Sequence, residues 1–268
     1  MKLLELFSGT KSVSKVFEAA GWDCTTLDLS DKHKPTILVN ILEWDYTVYK
    51  PGFFDYIHCS PVCTEYSRVL TTRPRRLEEA DKLVEKCLEI LSYLKPRYFT
   101  IENPESLLKD REIMQPMRNF MKRCCYCMYS DEEGTHSYRK PTNIWTNIPW
   151  EPRPMCLKST PCRWRAESGV HPKVAQRGPS GDNKNNKQTQ DELYSMPPLL
   201  PEEWLDSMRL VCEASGFSPR PKPSQSDARC LNNMIRLKIK YATRAGAFLW
   251  NKIDREGLAR ARLACDER

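Results

Sequence analysis

The chain has 268 residues and a formal net charge of +7, which is enough for one large domain with a substantial core. No apolar run approaches the roughly 18–20 residues of a membrane span, and the strand-like start at residues 2–7 does not resemble a secretory signal. We therefore expect an intracellular monomer, in the cytoplasm or nucleus, that binds no membrane. Twelve cysteines in such a chain indicate thiols rather than disulfides.

The predicted elements alternate between strand and helix through the first half of the chain. In chain order they are a strand at 2–7, a helix at 12–20, a strand at 24–29, a short element within 40–46, a strand at 53–57, a helix at 78–94, a strand at 98–101, a helix at 107–123 and a strand at 143–146. This alternation predicts an α/β fold with a doubly wound, Rossmann-like parallel sheet.

After residue 150 the alternation ends and the charge changes. Residues 1–150 carry 21 Lys+Arg and 21 Asp+Glu, whereas residues 151–268 carry 21 Lys+Arg and 14 Asp+Glu, which is the whole excess of +7. Proline and cysteine interrupt residues 151–208, and helices are predicted at 201–215 and 231–263. We expect an α/β domain at 1–150, a small irregular basic recognition region at 151–208 that contacts a polyanion, and a helical extension at 209–268.

The first strand is followed by a turn of small residues and a helix start. Gly9 permits close backbone approach to a ligand, and the helix N-terminus favours negative or polar groups. Asp28, at the end of the second strand, can accept hydrogen bonds from both hydroxyls of a ribose. A dinucleotide fingerprint is not met, because the turn has a single glycine.

A thiol and a carboxyl group close two later strands. Cys63 ends the run Ser-Pro-Val-Cys after the strand at 53–57, and Glu102 with Asn103 follows the strand at 98–101. The carboxyl ends of strands in an open α/β sheet share one crevice. Such a pair can attack a ring with sulfur while protonating it from the other edge.

These segments together resemble the motifs of the cytosine carbon-5 methyltransferases. The resemblance covers about residues 1–150 and rests on Leu-Phe-Ser-Gly at 6–9, Asp28, Ser-Pro-Val-Cys at 60–63 and Glu-Asn at 102–103. Ser-Pro-Val-Cys and the segment 138–147 are most similar to the short enzymes of phages and large DNA viruses. The resemblance implies methyl transfer from S-adenosylmethionine to a cytosine flipped out of duplex DNA in a host cell.

The resemblance also assigns roles to particular residues. It implies that Cys63 is the nucleophile, that Glu102 contacts ring nitrogen 3 of cytosine, and that Arg139 lies close by, where we expect a cation to lower the pKa of the thiol. The residues implied to bind the cofactor are Phe7, Ser8, Gly9, Thr10, Asp28, Leu29, Asn40, Ile41, Ser60 and Pro61.

Two basic segments are predicted to contact nucleic acid. The loop at 64–76 continues from the nucleophile and can close over an extruded base; the alternative is a solvated loop before a helix. The second segment lies in the recognition region. The predicted nucleic-acid-binding residues are Arg68, Arg73, Arg75, Arg76, Arg163 and Arg165.

Cys156, Cys162 and His171 form a second cysteine-containing pattern, which resembles the region that follows the catalytic half in the viral-type enzymes. Thiolates and imidazole suit zinc, and one cysteine among residues 124, 125 and 127 can supply a fourth ligand. The spacing is not that of a known zinc finger. From the sequence we therefore favour buried free thiols and predict no metal ligand.

Two alternatives to DNA methylation stay open. The same motifs occur in a branch that modifies tRNA, and charge does not separate two polyanions. The second alternative is a nucleic-acid-binding relative with weakened catalysis, because Asn40, Val62 and Asn143 depart from the usual residues at those motif positions. Retention of both Cys63 and Glu102 favours an active enzyme.

Overall fold

A seven-stranded sheet lies at the centre of the computed structural model, which describes residues 1–175 and 188–214. Its order is β3-β2-β1-β4-β5-β7-β6. The strands are β1 (Lys2–Leu6), β2 (Asp23–Asp28), β3 (Ile37–Leu38), β4 (Tyr56–Cys59), β5 (Tyr98–Pro104), β6 (Met121–Cys125) and β7 (Pro141–Thr146). The predicted α/β class is confirmed. The sheet is parallel except at β7, which runs antiparallel to both β5 and β6.

The winding of the sheet reverses next to β1. The chain proceeds outward from β1 through β2 to β3, and then returns to place β4 on the other side of β1. Leu6 and Cys59 are partners in the β1–β4 register. The turn after β1 therefore lies beside the segment that carries Cys63, at the point where open α/β sheets bind ligands.

Helices cover both faces of the sheet. They are α1 (Ser12–Ala19), α2 (Leu77–Leu94), α3 (Arg163–Ser168), α4 (Gln190–Tyr194) and α5 (Leu199–Ala214). The ring of His58 on β4 packs 5.9 Å from that of Trp204 on α5, in the same core cluster as α1. The next residue, Cys59, points to the other face and meets Cys87 of α2. This alternation along β4 separates the two helical layers.

Helix α1 is anchored at its N-terminus by a strand residue. Its first residues lack a side-chain cap from the adjacent Lys11, which has a left-handed backbone with φ of 57°. Instead, the carboxyl of Glu5 accepts the backbone N–H groups of Val13 (3.3 Å) and Ser14 (2.9 Å). Burial raises the pKa of Glu5 to about 7. The contact fixes the geometry of the turn between β1 and α1.

Two predicted elements were wrong. Residues 107–123 form no α-helix but the 3₁₀ segments Leu107–Asp110 and Glu112–Phe120, followed by the first part of β6. Pro116 removes a backbone donor inside this stretch, and pairing with β7 draws its end into the sheet. Residues 40–46 contribute only the start of a 3₁₀ turn, Tyr46–Val48.

The second half of the chain is described only in part. Helix α5 confirms the helix predicted at 201–215 as far as the described residues reach, and it crosses the predicted boundary at 208. The helix predicted at 231–263 lies outside the described residues, and the three-part division of the chain stays a prediction. Within residues 1–175 and 188–214, no helix is long and apolar enough to cross a membrane.

Candidate active site

The loop that carries Cys63 is fixed to the sheet by two hydrogen bonds. The backbone N–H of Ser60 donates to the Leu6 carbonyl (3.2 Å). One residue further on, the Pro61 carbonyl accepts a hydrogen bond from the side-chain amide of Asn103 (3.0 Å). Asn103 is fully buried. It therefore joins the loop that carries Cys63 to the end of β5, where Glu102 also lies.

Glu102 is buried and accepts a hydroxyl hydrogen bond on each carboxyl oxygen. Ser60 donates to Oε2 (2.7 Å) and Tyr126 donates to Oε1 (2.9 Å). Ser60 and Pro61 therefore both contact the β5 residues, and their predicted role toward the cofactor stays a prediction. Two donors from different elements hold the carboxyl group in one orientation beside Cys63.

The environment of Cys63 raises its pKa rather than lowering it. Burial of the thiol is the largest cause, and the charge of Glu102 raises the pKa further. Lys140 is the cation that lowers it. The expectation of a lowered pKa was wrong, and the cation that acts on Cys63 is Lys140 rather than Arg139. Arg139 is exposed and acts electrostatically on Cys125 and His171.

Lys140 is itself held in place. Its Nζ donates to the Leu193 carbonyl (2.9 Å) and lies 4.5 Å from the ring centroid of Tyr126. The Lys140→Gln variant should therefore raise the pKa of Cys63 further, so that less thiolate forms at any given pH. The pH midpoint for alkylation of Cys63 by iodoacetamide, followed by mass spectrometry of its peptide, should move upward.

The matched control for this measurement is Arg139→Gln, which removes one positive charge at the neighbouring position. It should leave the alkylation midpoint of Cys63 unchanged, since Arg139 does not act on that thiol. Equal shifts in both variants would show that general charge, rather than the placement of Lys140, sets the pKa.

The turn after β1 is closed by Asp28. One carboxylate oxygen accepts the backbone N–H of Gly9 (2.8 Å) and the other accepts that of Ser30 (2.8 Å). Gly9 has φ of +42°, and an added Cβ would meet no atom nearer than 3.9 Å. The position favours glycine for its backbone conformation, and it leaves space above the turn for a ligand.

The other predicted cofactor residues lie along the same edge of the sheet. Phe7 has φ of 57°, and the hydroxyl of Ser8 is buried without a hydrogen-bond partner. Leu29 is 72% exposed directly after β2. The remaining three are Thr10, bonded to Ser12 (2.7 Å), Asn40, which accepts the N–H of Leu42 (3.1 Å), and Ile41, which is buried.

A cavity of about 700 Å³ lies along the outer side of α1, toward α5. Of the predicted cofactor residues only Thr10 lines it; Phe7, Gly9 and Asp28 do not. This cavity therefore does not coincide with the residues predicted to bind the cofactor.

The basic loop that follows Cys63 is held by contacts within itself. Arg73 and the backbone N–H of Arg76 both bind Glu65, and Arg75 donates to the Ser67 carbonyl (2.9 Å). Arg68 is exposed. The predicted loop is thus present, with part of its charge neutralised internally.

In the recognition region the two predicted arginines differ in their surroundings. Arg163 pairs with Glu167 (3.2 Å) and lies over the ring of Trp164. Arg165 lines a second cavity of about 550 Å³ together with Arg139, Lys173 and His171. This cavity concentrates positive charge next to the cysteine-containing segment.

Asn143 is fully buried, and neither side-chain polar atom has a hydrogen-bond partner. It is the β7 partner of Asn103 in the sheet register, on the strand next to the one that carries Glu102. A buried amide without partners is energetically costly.

Comparison with known proteins decides the family. No family model matches the chain. Over 230 residues, however, it is 31% identical to the probable DNA (cytosine-5)-methyltransferase of frog virus 3 (isolate Goorha), an alignment that covers 77% of this chain and 99% of the viral protein. The chain belongs to the DNA (cytosine-5)-methyltransferase family. The resemblance seen in its motifs is thereby confirmed.

Solved structures similar to this cytosine-5 methyltransferase have low sequence identity. One is described as a DNA modification methyltransferase encoded within an E. coli prophage, with 14% identity, a TM-score of 0.41, and coverage of 65% of this chain and 53% of that chain. Another is the Entamoeba histolytica methyltransferase EhMeth, with 14% identity, a TM-score of 0.45, and coverage of 89% and 96%. The family assignment rests on the frog virus relative.

Two buried contacts of this methyltransferase were missed from the sequence. Tyr126 follows β6, a strand that the sequence presented as the end of a helix, so its contact with Glu102 was not foreseen. His136, which lines the cavity beside α1, is buried and hydrogen-bonds to the Ser195 hydroxyl (2.9 Å); burial lowers its pKa to about 4. Neither contact has a local sequence pattern, because each joins segments distant in the chain.

Proposed function

We propose that this chain transfers a methyl group from S-adenosylmethionine to carbon 5 of cytosine in duplex DNA, through a covalent adduct between Cys63 and the flipped base. One observation carries the proposal. Hydrogen bonds of Asn103 and Ser60 hold the Cys63 loop and Glu102 together at the switch point of the sheet. The chain that carries this arrangement is 31% identical to a viral protein named for this activity.

The chemistry requires both groups. Carbon 5 of cytosine is a weak nucleophile, so the Cys63 thiolate first adds to carbon 6 and converts the ring into an enamine-like species. Glu102 donates a hydrogen bond or a proton at ring nitrogen 3 and relieves the developing charge. Carbon 5 then takes the methyl group, and the donor sulfur would leave as a neutral thioether. Removal of the carbon-5 proton by a base, such as water, expels the Cys63 thiolate, and return of the nitrogen-3 proton to Glu102 restores the ring.

The thiol has to lose its proton before it can add. Because the pKa of Cys63 is raised, the free enzyme holds it mainly as the thiol at neutral pH, and the rate of adduct formation should rise with pH. Lys140 is the residue placed to favour the thiolate. Base binding can add to this effect if it separates Glu102 from the sulfur.

The residues at the carboxyl ends of β1 and β2 fit the proposed cofactor. Asp28 retains lone pairs for ribose hydroxyls, the buried Ser8 hydroxyl lacks a partner, and the exposed Leu29 offers an apolar surface for adenine. When bound, S-adenosylmethionine supplies an electrophilic methyl group on a sulfonium. The turn at Gly9 would hold its amino-acid part near the Cys63 loop.

An Asp28→Asn variant tests this placement. Loss of the charged acceptor should weaken S-adenosylmethionine binding by about tenfold or more, the effect expected when a hydrogen bond to a charged group is lost. Isothermal titration calorimetry measures it, and circular dichroism checks the fold. Asp31→Asn, an exposed change in the same loop, should keep the original affinity. Equal affinities in all three proteins would place the cofactor elsewhere.

We place the DNA at the edge that carries the basic loop and the recognition region. Reversing the charge of Arg163 and Arg165 to glutamate should lower affinity for duplex DNA and reduce the salt slope by about one to two, given roughly 0.9 per phosphate contact. Fluorescence anisotropy at several salt concentrations measures both. Lys50→Glu with Lys95→Glu, an equal charge change at exposed sites before β4 and β5, is the control. If both pairs act alike, the recognition region is not the DNA surface.

The activity itself is tested with tritium-labelled S-adenosylmethionine on duplex DNA and tRNA in parallel. Label should appear in DNA as 5-methylcytosine and should be absent from tRNA. Bisulfite sequencing of DNA from cells that express the chain then gives the target context. Label confined to tRNA would overturn the DNA assignment. Absence of label from both substrates would favour the binding relative with weakened catalysis.

A further inference from the structure

Four metal-binding side chains converge outside the candidate active site. Cys127 lies in the 3₁₀ turn Tyr126–Met128, Cys156 and Cys162 flank the loop before α3, and His171 follows that helix. Their ligand atoms all lie within 4.8 Å of one another, and all three cysteines are buried. Residues 44 positions apart in the chain thus meet at one point.

The distances match those of a tetrahedral site. His171 Nε2 lies 3.3 Å from Cys162 Sγ and 3.5 Å from Cys156 Sγ. With zinc–sulfur bonds of about 2.3 Å and zinc–nitrogen bonds of about 2.0–2.1 Å, tetrahedral geometry requires sulfur–nitrogen separations of about 3.5 Å. The backbone N–H of Cys162 also donates to Cys156 Sγ (3.3 Å), an outer contact of the kind that orients thiolate ligands.

We propose that Cys127, Cys156, Cys162 and His171 bind one structural zinc ion. Three soft thiolates and an imidazole select zinc over the hard cations magnesium and calcium. Four protein ligands complete the tetrahedron and leave no position for a substrate, so the role is structural. The sequence favoured free thiols because the spacing of the last three ligands is not that of a known finger, and the fourth comes from the sheet edge.

Three of these ligands lie in the segment 151–175, which polar contacts of Arg153 and Lys173 join to the rest of the chain but which has little apolar core of its own. Residues 151–175 form one helix, the six-residue α3. The local core consists of Cys125, Cys127, Cys156 and Cys162, with Met128, Met155 and Trp164 packed against them. So small a cluster stabilises little by burial alone, whereas zinc binding adds directly to folding free energy.

The ion would connect the recognition region to the catalytic sheet. Cys127 lies in the 3₁₀ turn that follows β6, while His171 lines the basic cavity with Arg139, Arg165 and Lys173. Zinc would therefore fix the position of this cavity relative to the sheet edge. The inference stands independently of the methyl-transfer chemistry, because no ligand belongs to the Cys63–Glu102 unit.

Metal analysis of the purified full chain is the first test. Inductively coupled plasma mass spectrometry should find about one zinc per chain after dialysis without chelator. Cys156→Ser, Cys162→Ser and His171→Ala should each lose most of it. Cys124→Ser, equally buried on β6 but outside the group, should keep it. Zinc that persists in the three ligand variants would overturn the site.

Ligand variants can misfold, so a second measurement uses the unaltered chain. Cobalt substituted for zinc should give the d–d absorption of a tetrahedral ion and a thiolate charge-transfer band, both of which zinc displaces. The thiol of Cys125 lies 3.4 Å from that of Cys127 and is the alternative to His171 as the fourth ligand. A Cys125→Ser variant should leave the cobalt spectrum unchanged, because His171 is the ligand in the proposed site. Two results would overturn the proposal. One is a native protein that contains no metal and gives no cobalt spectrum, and the other is a disulfide between Cys156 and Cys162 in non-reducing peptide maps.

Discussion

Replacing Cys63 with serine should abolish methyl transfer to DNA. A serine hydroxyl does not ionise near neutral pH and cannot add to carbon 6 of the base at a useful rate. S-adenosylmethionine affinity should stay within a few-fold, roughly less than the tenfold of one lost hydrogen bond, because the thiol faces the base in the proposed arrangement. Tritium incorporation into duplex DNA measures the transfer, and calorimetry measures the cofactor affinity.

Cys24→Ser provides the matched control, since Cys24 is partly buried like Cys63 but lies on β2. It should retain activity. The unaltered enzyme should also form a denaturation-resistant adduct with DNA that contains 5-fluorocytosine, and Cys63→Ser should not. Turnover or adduct formation in Cys63→Ser would remove Cys63 from the role of nucleophile.

Replacing Glu102 with glutamine should slow methyl transfer by roughly two or more orders of magnitude, the range of a positioned general acid. The amide can still donate to ring nitrogen 3 but cannot transfer a proton. It also accepts on one oxygen only, so either the Ser60 or the Tyr126 hydroxyl loses its acceptor. Single-turnover rates with excess enzyme isolate this chemical step from product release.

Tyr126→Phe separates orientation from acid catalysis. It removes one hydroxyl that positions Glu102 and leaves the carboxyl group in place. Its rate should therefore fall less than that of Glu102→Gln, with a similar pH dependence to the unaltered enzyme. An unchanged rate in Glu102→Gln would place the essential acid on another residue, and equal losses in both variants would show that the glutamine change acts through misorientation.

The sequence by itself was sufficient for β1 and for the start of β5, whereas it placed β4 at 53–57 and the structure has it at Tyr56–Cys59. These strands are short, largely apolar runs with polar residues at or just after their ends, and this is a local pattern. Parallel strands align their carboxyl ends. A sequence that predicts such a sheet therefore also predicts that the turn at Gly9 and the loop at Cys63 lie close together.

Contacts between segments far apart in the chain were decided only by the tertiary structure. β6 reads locally as helix and becomes a strand because β7 offers it backbone partners. That pairing brings Tyr126 to Glu102, a contact with no pattern in the sequence, and it selects Cys127 among the three candidate cysteines as the one that lies beside His171. Likewise, the sequence did not show that Lys140 rather than Arg139 is the cation that acts on Cys63. The local sequence pattern shows which residue types lie at the ends of the strands. Strand pairing and side-chain direction determine which of these side chains come into contact.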